Sequence, residues 1–139
     1  YVEGMRKIWS GEVVEHQSEF INWSGFKSYP LPVQNPFPVV MGGVQGKIFH
    51  RIAKYGNGWF APEGNPETLA GHLKSLQAAC DDHGRSMSDI EITCMWNGKG
   101  GRESIEALEA VGVHRVVVPL AGAASPVEHL QSIAEVAIG

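Results

Sequence analysis

From Asn35 onward the chain repeats one pattern: a short apolar run, then an amphipathic stretch with helical spacing. This rhythm commits it to an α/β architecture around a parallel sheet, because parallel strands need a crossover and a helix is the usual one. Four such units are legible. The first has the strand Pro38-Val39-Val40-Met41, ended by Gly42-Gly43, and a helix with Ile48, Phe49, Ile52 and Ala53 on one face that stops near Gly56. The second strand, Gly58-Trp59-Phe60-Ala61, ends at Pro62. Asn65-Pro66-Glu67 then supplies an N-cap, a proline at the first helical position and an acid in the first turn. Leu69, Leu73, Leu76 and Cys80 give that helix its apolar stripe, and Gly84 closes it.

The third strand, Ile90 to Trp96, runs into a glycine-rich turn, and Ile105, Leu108 and Val111 mark a helix that stops at Gly112. The fourth, Arg115 to Leu120, is the most uniformly apolar and is expected to be buried on both faces. Ser125-Pro126-Val127-Glu128 matches a capping box, with Val127, Leu130, Ile133, Ala134 and Ala137 lining the last helix. The first 34 residues break the rhythm. Met5, Ile8 and Trp9 suggest the end of a helix, and Glu12 to Trp23 alternates as extended chain with Val14 and Phe20 inward. Pro30, Pro32, Pro36 and Pro38 enforce an extended approach to the first core strand.

At 139 residues, 43% of them hydrophobic and 19% charged, the chain fits a single domain, 1–139, with residues 1–34 as its N-terminal helix end and extended segment and 35–139 as four βα units. A complete (β/α)8 barrel needs roughly 200 residues or more, so a barrel reading must find its other strands elsewhere. The formal net charge of −4, with Lys and Arg scattered, leaves no footprint for nucleic acid or an anionic membrane surface. Cys80 and Cys94 sit in apolar patterns without metal-ligand spacing, as buried thiols do in a reducing compartment. With no long apolar run or leader-like start, a cytoplasmic protein is expected.

The sharpest local feature is Pro38-Val39-Val40-Met41-Gly42-Gly43-Val44-Gln45, where a strand ends in paired glycines just before a helix. Such a turn lets backbone approach a ligand closely and points free N–H groups at whatever lies above the strand ends. It is equally the composition of a tight turn without a ligand. Lys99, in the glycine-rich stretch Trp96 to Gly101, and Glu63, after the second strand, would lie on the same rim, yet each is also an ordinary solvated side chain. The P-loop spacing GxxxxGK[ST] is not met there. Trp59 and Phe60 read as strand core. His16, His50, His72, His83, His114 and His129 show no metal-ligand spacing, so structural or surface roles and no metal are expected. No GxSxG elbow or neighbouring Cys–His pair suggests a nucleophile.

The order and spacing of several segments resemble the luciferase-like monooxygenase family of flavin- or deazaflavin-dependent oxidoreductases. They are Tyr29 to Gly43, then Ala53-Lys54-Tyr55-Gly56-Asn57-Gly58-Trp59-Phe60, then Pro66-Glu67-Thr68-Leu69, and Gly112-Val113-His114-Arg115-Val116-Val117-Val118. Arg6 to Glu12, followed by Phe20, is similar to the segment that precedes the family's fifth strand. The resemblance implies the C-terminal half of a (β/α)8 barrel, its four units standing for strands five to eight. It also implies that Gly42, Gly43, Val44 and Gln45 match the turn that holds the phosphate end of FMN or of deazaflavin (coenzyme F420). The family's early strands, which cup the cofactor ring and help position the substrate, have no counterpart, so no catalytic acid or base carries over.

A half-barrel exposes two sheet edges and an apolar face that the missing half would cover, at a cost of roughly 25 cal/mol per Å² of apolar area left in water. Self-association as a homodimer is therefore expected. Two functional readings stay open: an oxidoreductase with a partial FMN or deazaflavin site, or a non-catalytic half-barrel that serves as a self-associating scaffold or interaction module with at most an anion site.

Overall fold

The computed structural model describes residues 1–120 and 125–137. Its contacts divide the chain into two compact units, Tyr1–Val39 and Val40–Gly139. In the first, helix α1 (Val2–Trp9) is followed by strands β1 (Val14–Gln17) and β2 (Asn22–Phe26), which pair antiparallel with His16 opposite Trp23. Ser18 ties the connection: its hydroxyl donates to the Ile21 carbonyl and accepts from the Ile21 N–H, at 3.0 and 3.1 Å. The extended reading of Glu12 to Trp23 thus resolves into a hairpin. Phe20, expected inward, is 71% exposed. It lies in the bend between the strands, where the alternation that sorts strand side chains does not operate.

The second unit runs β3 (Val40–Gly42), α2 (Ile48–Tyr55), β4 (Gly58–Ala61), α3 (Pro66–Asp82), β5 (Glu91–Met95), α4 (Gly101–Ala110), β6 (Arg115–Val117) and α5 (Pro126–Ala137). The four strands form one parallel sheet in the order β3-β4-β5-β6, as the strand-helix rhythm requires. The register places Met41, Trp59 and Ile92 in one row, and Ala61, Cys94 and Val116 in another. These rows face the helices and pack with Ile52, Leu69, Leu76, Cys80 and Leu108 into the core.

The helix starts follow the local chemistry. Asn65 Oδ1 accepts the Thr68 N–H at 2.9 Å, and Pro66 opens α3 at a position whose N–H would have no helical partner. The far end of α2 is closed from outside by Arg85, whose guanidinium donates to the carbonyls of Ile52, Ala53 and Gly56. A cation at that end meets the negative pole of the helix.

Two expectations are corrected at the last unit. The strand expected over Arg115 to Leu120 is shorter, and it is not buried on both faces: Arg115 and Val117 are exposed and Val116 is half-buried. Among the described residues β6 pairs with β5 alone, so it is a sheet edge, and a uniformly apolar sequence does not distinguish an edge from a centre. In α5, Val127 and Leu130 are 65% and 48% exposed, and Ala134 and Ala137 are exposed too. Ile133 and Val136 are the positions that reach the core, because this helix packs on α4. The opposite face of the sheet is mixed rather than apolar throughout: exposed Val40 and Val117 share it with Thr93 and with an Arg115–Glu91 ion pair at 3.0 Å. Among the described residues no helix is long and apolar enough to cross a membrane.

Candidate functional site

The C-terminal ends of parallel strands form the rim where α/β folds place ligands. The turn from Gly42 to Lys47 stands on this rim after β3. Gly43 has φ +109° and Gly46 φ +65°, backbone regions that side-chain-bearing residues rarely adopt. Gly42 differs: a Cβ there would lie 3.6 Å from the Phe60 carbonyl oxygen, an ordinary contact. Val44 packs against the core, whereas Gln45 is exposed.

The helix that follows begins open. Lys47 occupies the N-cap of α2 without a side-chain cap, and the first turn carries no acidic residue. The leading N–H groups of α2 are therefore left for solvent or an anion, and no carboxylate offsets the positive pole of the helix. The turn itself is anchored from the neighbouring strand: Trp59 Nε1 donates to the Gly43 carbonyl oxygen at 2.9 Å. Trp59 is fully buried core, as its strand position predicts, but its N–H does more than fill volume.

A cleft of about 630 Å³ opens farther along the same rim, lined among others by Pro62, Glu63, Met95, Trp96, Lys99 and Pro119. Glu63 and Lys99, both rim candidates from the sequence, thus share one cavity. The turn Gly42, Gly43, Val44, Gln45 does not line it. Glu63 Oε1 lies 3.5 Å from His72 Nε2, and the His72 ring stands edge-on to Trp59 with centroids 6.0 Å apart. Through that chain of contacts the cleft and the glycine turn share supporting side chains.

Other candidates fall elsewhere. His114 accepts the Ile92 N–H at Nδ1 (3.0 Å) at the start of the sheet, the end opposite the rim. His50 is exposed in α2 with its ring against His83. His16 is buried against Gly4 and Trp23 in the first unit. His129 begins the backbone bonding of α5 by donating to the Ser125 carbonyl. Among the described residues, no group of three or more His, Cys, Asp or Glu could hold a metal ion. Cys80 and Cys94 are free and buried. Burial pushes both thiols up, and the Arg85 charge only partly opposes this at Cys80, so neither is an activated nucleophile.

Sequence reasoning missed three structural residues, two at the rim and one at the opposite end of the sheet. Gly64 is not among the positive-φ glycines, but a Cβ there would fall 2.1 Å from the Met95 carbonyl oxygen, so glycine is demanded by the close approach of two loops. Ser104 donates to Lys99 and Gly101 carbonyls and accepts from the Trp96 indole. Arg85 closes α2 from a loop 29 to 33 residues away. No local pattern announces any of these contacts, since each partner arrives from another part of the fold or loop.

The model of the luciferase-like monooxygenase family matches residues 1–136. In structure, the chain is similar to the coenzyme-F420-dependent tetrahydromethanopterin reductase of Methanopyrus kandleri, with a TM-score of 0.79 and 11% identity over 96% of this chain and 60% of the reductase. It is also similar to an F420-dependent secondary alcohol dehydrogenase in complex with an F420-acetone adduct, with a TM-score of 0.68 and 14% identity over 84% of this chain and 53% of the dehydrogenase. Among curated sequences, an uncharacterized protein of Mycobacterium tuberculosis is 35% identical over 60 residues, 42% of this chain and 21% of that protein. The chain thus spans only part of the length of the proteins it matches. The parallel sheet, its crossover helices and the match along nearly the whole chain agree: this chain is part of a (β/α)8 barrel and belongs to the luciferase-like monooxygenase family.

Proposed function

We propose that this chain supplies the phosphate-holding portion of a flavin or deazaflavin site in a luciferase-like oxidoreductase, with Gly42, Gly43, Val44 and Gln45 as the cofactor-binding turn. The observation that carries this reading is the turn itself: positive-φ glycines, an uncapped helix start without acidic residues, and a carbonyl drawn inward by Trp59. These features suit a phosphate ester, which needs N–H donors and tolerates no nearby carboxylate. The family supports FMN or coenzyme F420, and the two solved structures that the chain resembles are F420-dependent enzymes. The cofactor, when bound, supplies the redox chemistry. This chain's own contribution is to bind and orient it, and no acid or base on the rim is assigned a catalytic role.

The same reading has a second copy of the chain complete the sheet. The edges β3 and β6 have one partner each among the described residues, and Val40 and Val117 are 52% and 38% exposed on the open face. A light-scattering mass of one chain at micromolar concentration removes the dimer from the proposal. Two free buried thiols fit a reducing, cytoplasmic setting.

Titration of the protein with FMN and with the deazaflavin coenzyme, followed by cofactor fluorescence, tests the central claim. A saturable change abolished by Gly43→Asp, which adds bulk and negative charge at the turn, is the expected result. No saturable change with either cofactor overturns it and leaves a scaffold without a cofactor site.

A further inference from the structure

The burial of Trp59 is explained by packing, but the direction of its indole N–H is not. Phe49 and His72 hold the ring edge-on, with centroid distances of 5.4 and 6.0 Å, so the core sets its orientation independently of any ligand. So held, Nε1 meets the Gly43 carbonyl oxygen at 2.9 Å, sixteen residues back and on the neighbouring strand's turn. A trans peptide keeps its C=O and N–H on opposite sides. Drawing the Gly43 oxygen toward the buried indole therefore turns the Val44 N–H away from it. Among the described residues, the N–H groups of Val44, Gln45 and Gly46 donate to no protein acceptor.

We propose that Trp59 is a positioning residue for cofactor binding: its indole fixes the Gly43–Val44 peptide so that the Val44 N–H is presented, already oriented, to the phosphate ester of a flavin-type cofactor. This rests on the reading of the Gly42–Gln45 turn as the phosphate holder. It goes beyond that reading by assigning the turn's geometry to a side chain that touches no ligand. A donor held in place before binding spares the ordering cost that a loose turn would incur. The Gly43 φ of +109° is one that glycine adopts readily and side-chain-bearing residues rarely.

The test compares FMN with riboflavin, which lacks the phosphate, on the full chain. Wild type is expected to bind FMN more tightly. In Trp59→Phe, which keeps most of the ring volume and removes the N–H, the FMN-to-riboflavin affinity ratio is expected to fall about five- to tenfold, the net worth of the one neutral hydrogen bond that orients the turn, with riboflavin affinity unchanged. An unchanged ratio, or equal weakening of both ligands, overturns the role of Trp59 while the turn stands. A wild type that neither prefers FMN to riboflavin nor binds the deazaflavin coenzyme saturably overturns the turn and the inference together. If Trp59→Phe does not fold, the wild-type indole ¹⁵N–H resonances decide, assigned through Phe replacements at Trp9, Trp23 and Trp96. FMN should shift the Trp59 resonance and riboflavin should not, while Trp96, bonded within its own loop, stays in place. A Trp59 resonance unmoved by FMN sinks the proposal.

Discussion

Two glycine-rich turns stand on the same rim, after β3 and after β5, and each is bonded to a tryptophan. In the turn after β5 the hydrogen bonds close on themselves: Trp96 Nε1 reaches the Lys99 carbonyl and Ser104 Oγ, Asn97 Oδ1 accepts the Lys99 N–H, and Ser104 donates to the Lys99 and Gly101 carbonyls. In the turn after β3 a single carbonyl is taken, by a tryptophan from the next strand, and the following N–H groups are left over. Glycine content does not separate the two. The charge at the helix start does: Glu103 stands in the first turn of α4, whereas the first turn of α2 carries no acidic residue, so an anion is favoured only after β3.

The largest test of this contrast acts where the loop after β4 meets the end of β5. Gly64→Ala would drive a methyl group into the Met95 carbonyl at 2.1 Å, so the loops must separate. Chemical denaturation should show a loss of about 3 kcal/mol or more, the range of severe overpacking. Retention of wild-type stability would mean that the two loops are not locked together. At the turn after β3 the paired glycines should behave differently. Gly43→Ala meets a positive φ and is expected to cost about 1–2 kcal/mol and to weaken FMN binding. Gly42→Ala finds only a 3.6 Å contact and should change stability by less than about 0.5 kcal/mol. Equal effects at both positions would erase the distinction between them.

The smallest effect is expected at Ser104. Ser104→Ala removes bonds within the turn after β5 and should cost about 1 kcal/mol, read from the thermal midpoint. FMN affinity should stay at the wild-type value, since Glu103 in the first turn of α4 disfavours an anion there. A parallel loss of FMN binding would show that the two turns act as one site.

Much of the second unit was legible from its residues. The Asn65-Pro66 start of α3, the Leu69, Leu76 and Cys80 stripe and the parallel order of strands all follow from local chemistry and periodicity. The family was legible too, from the order of segments along the chain. What failed depended on neighbours. The sequence of β6 is apolar enough for a central strand, and only the sheet order makes it an edge. The Val127 and Leu130 positions of α5 have helical spacing but stay exposed among the described residues.

The same division runs through the candidate site. A glycine turn between a strand and a helix follows from the residues alone, because glycine readily takes the positive φ found at Gly43 and Gly46. Which way its peptides point was decided by Trp59 crossing from the next strand, and which glycine was obligatory for space was decided by Met95 meeting Gly64. Local conformational freedom is written residue by residue, whereas the direction of a donor and the room for a methyl group exist only once separate strands have been brought side by side.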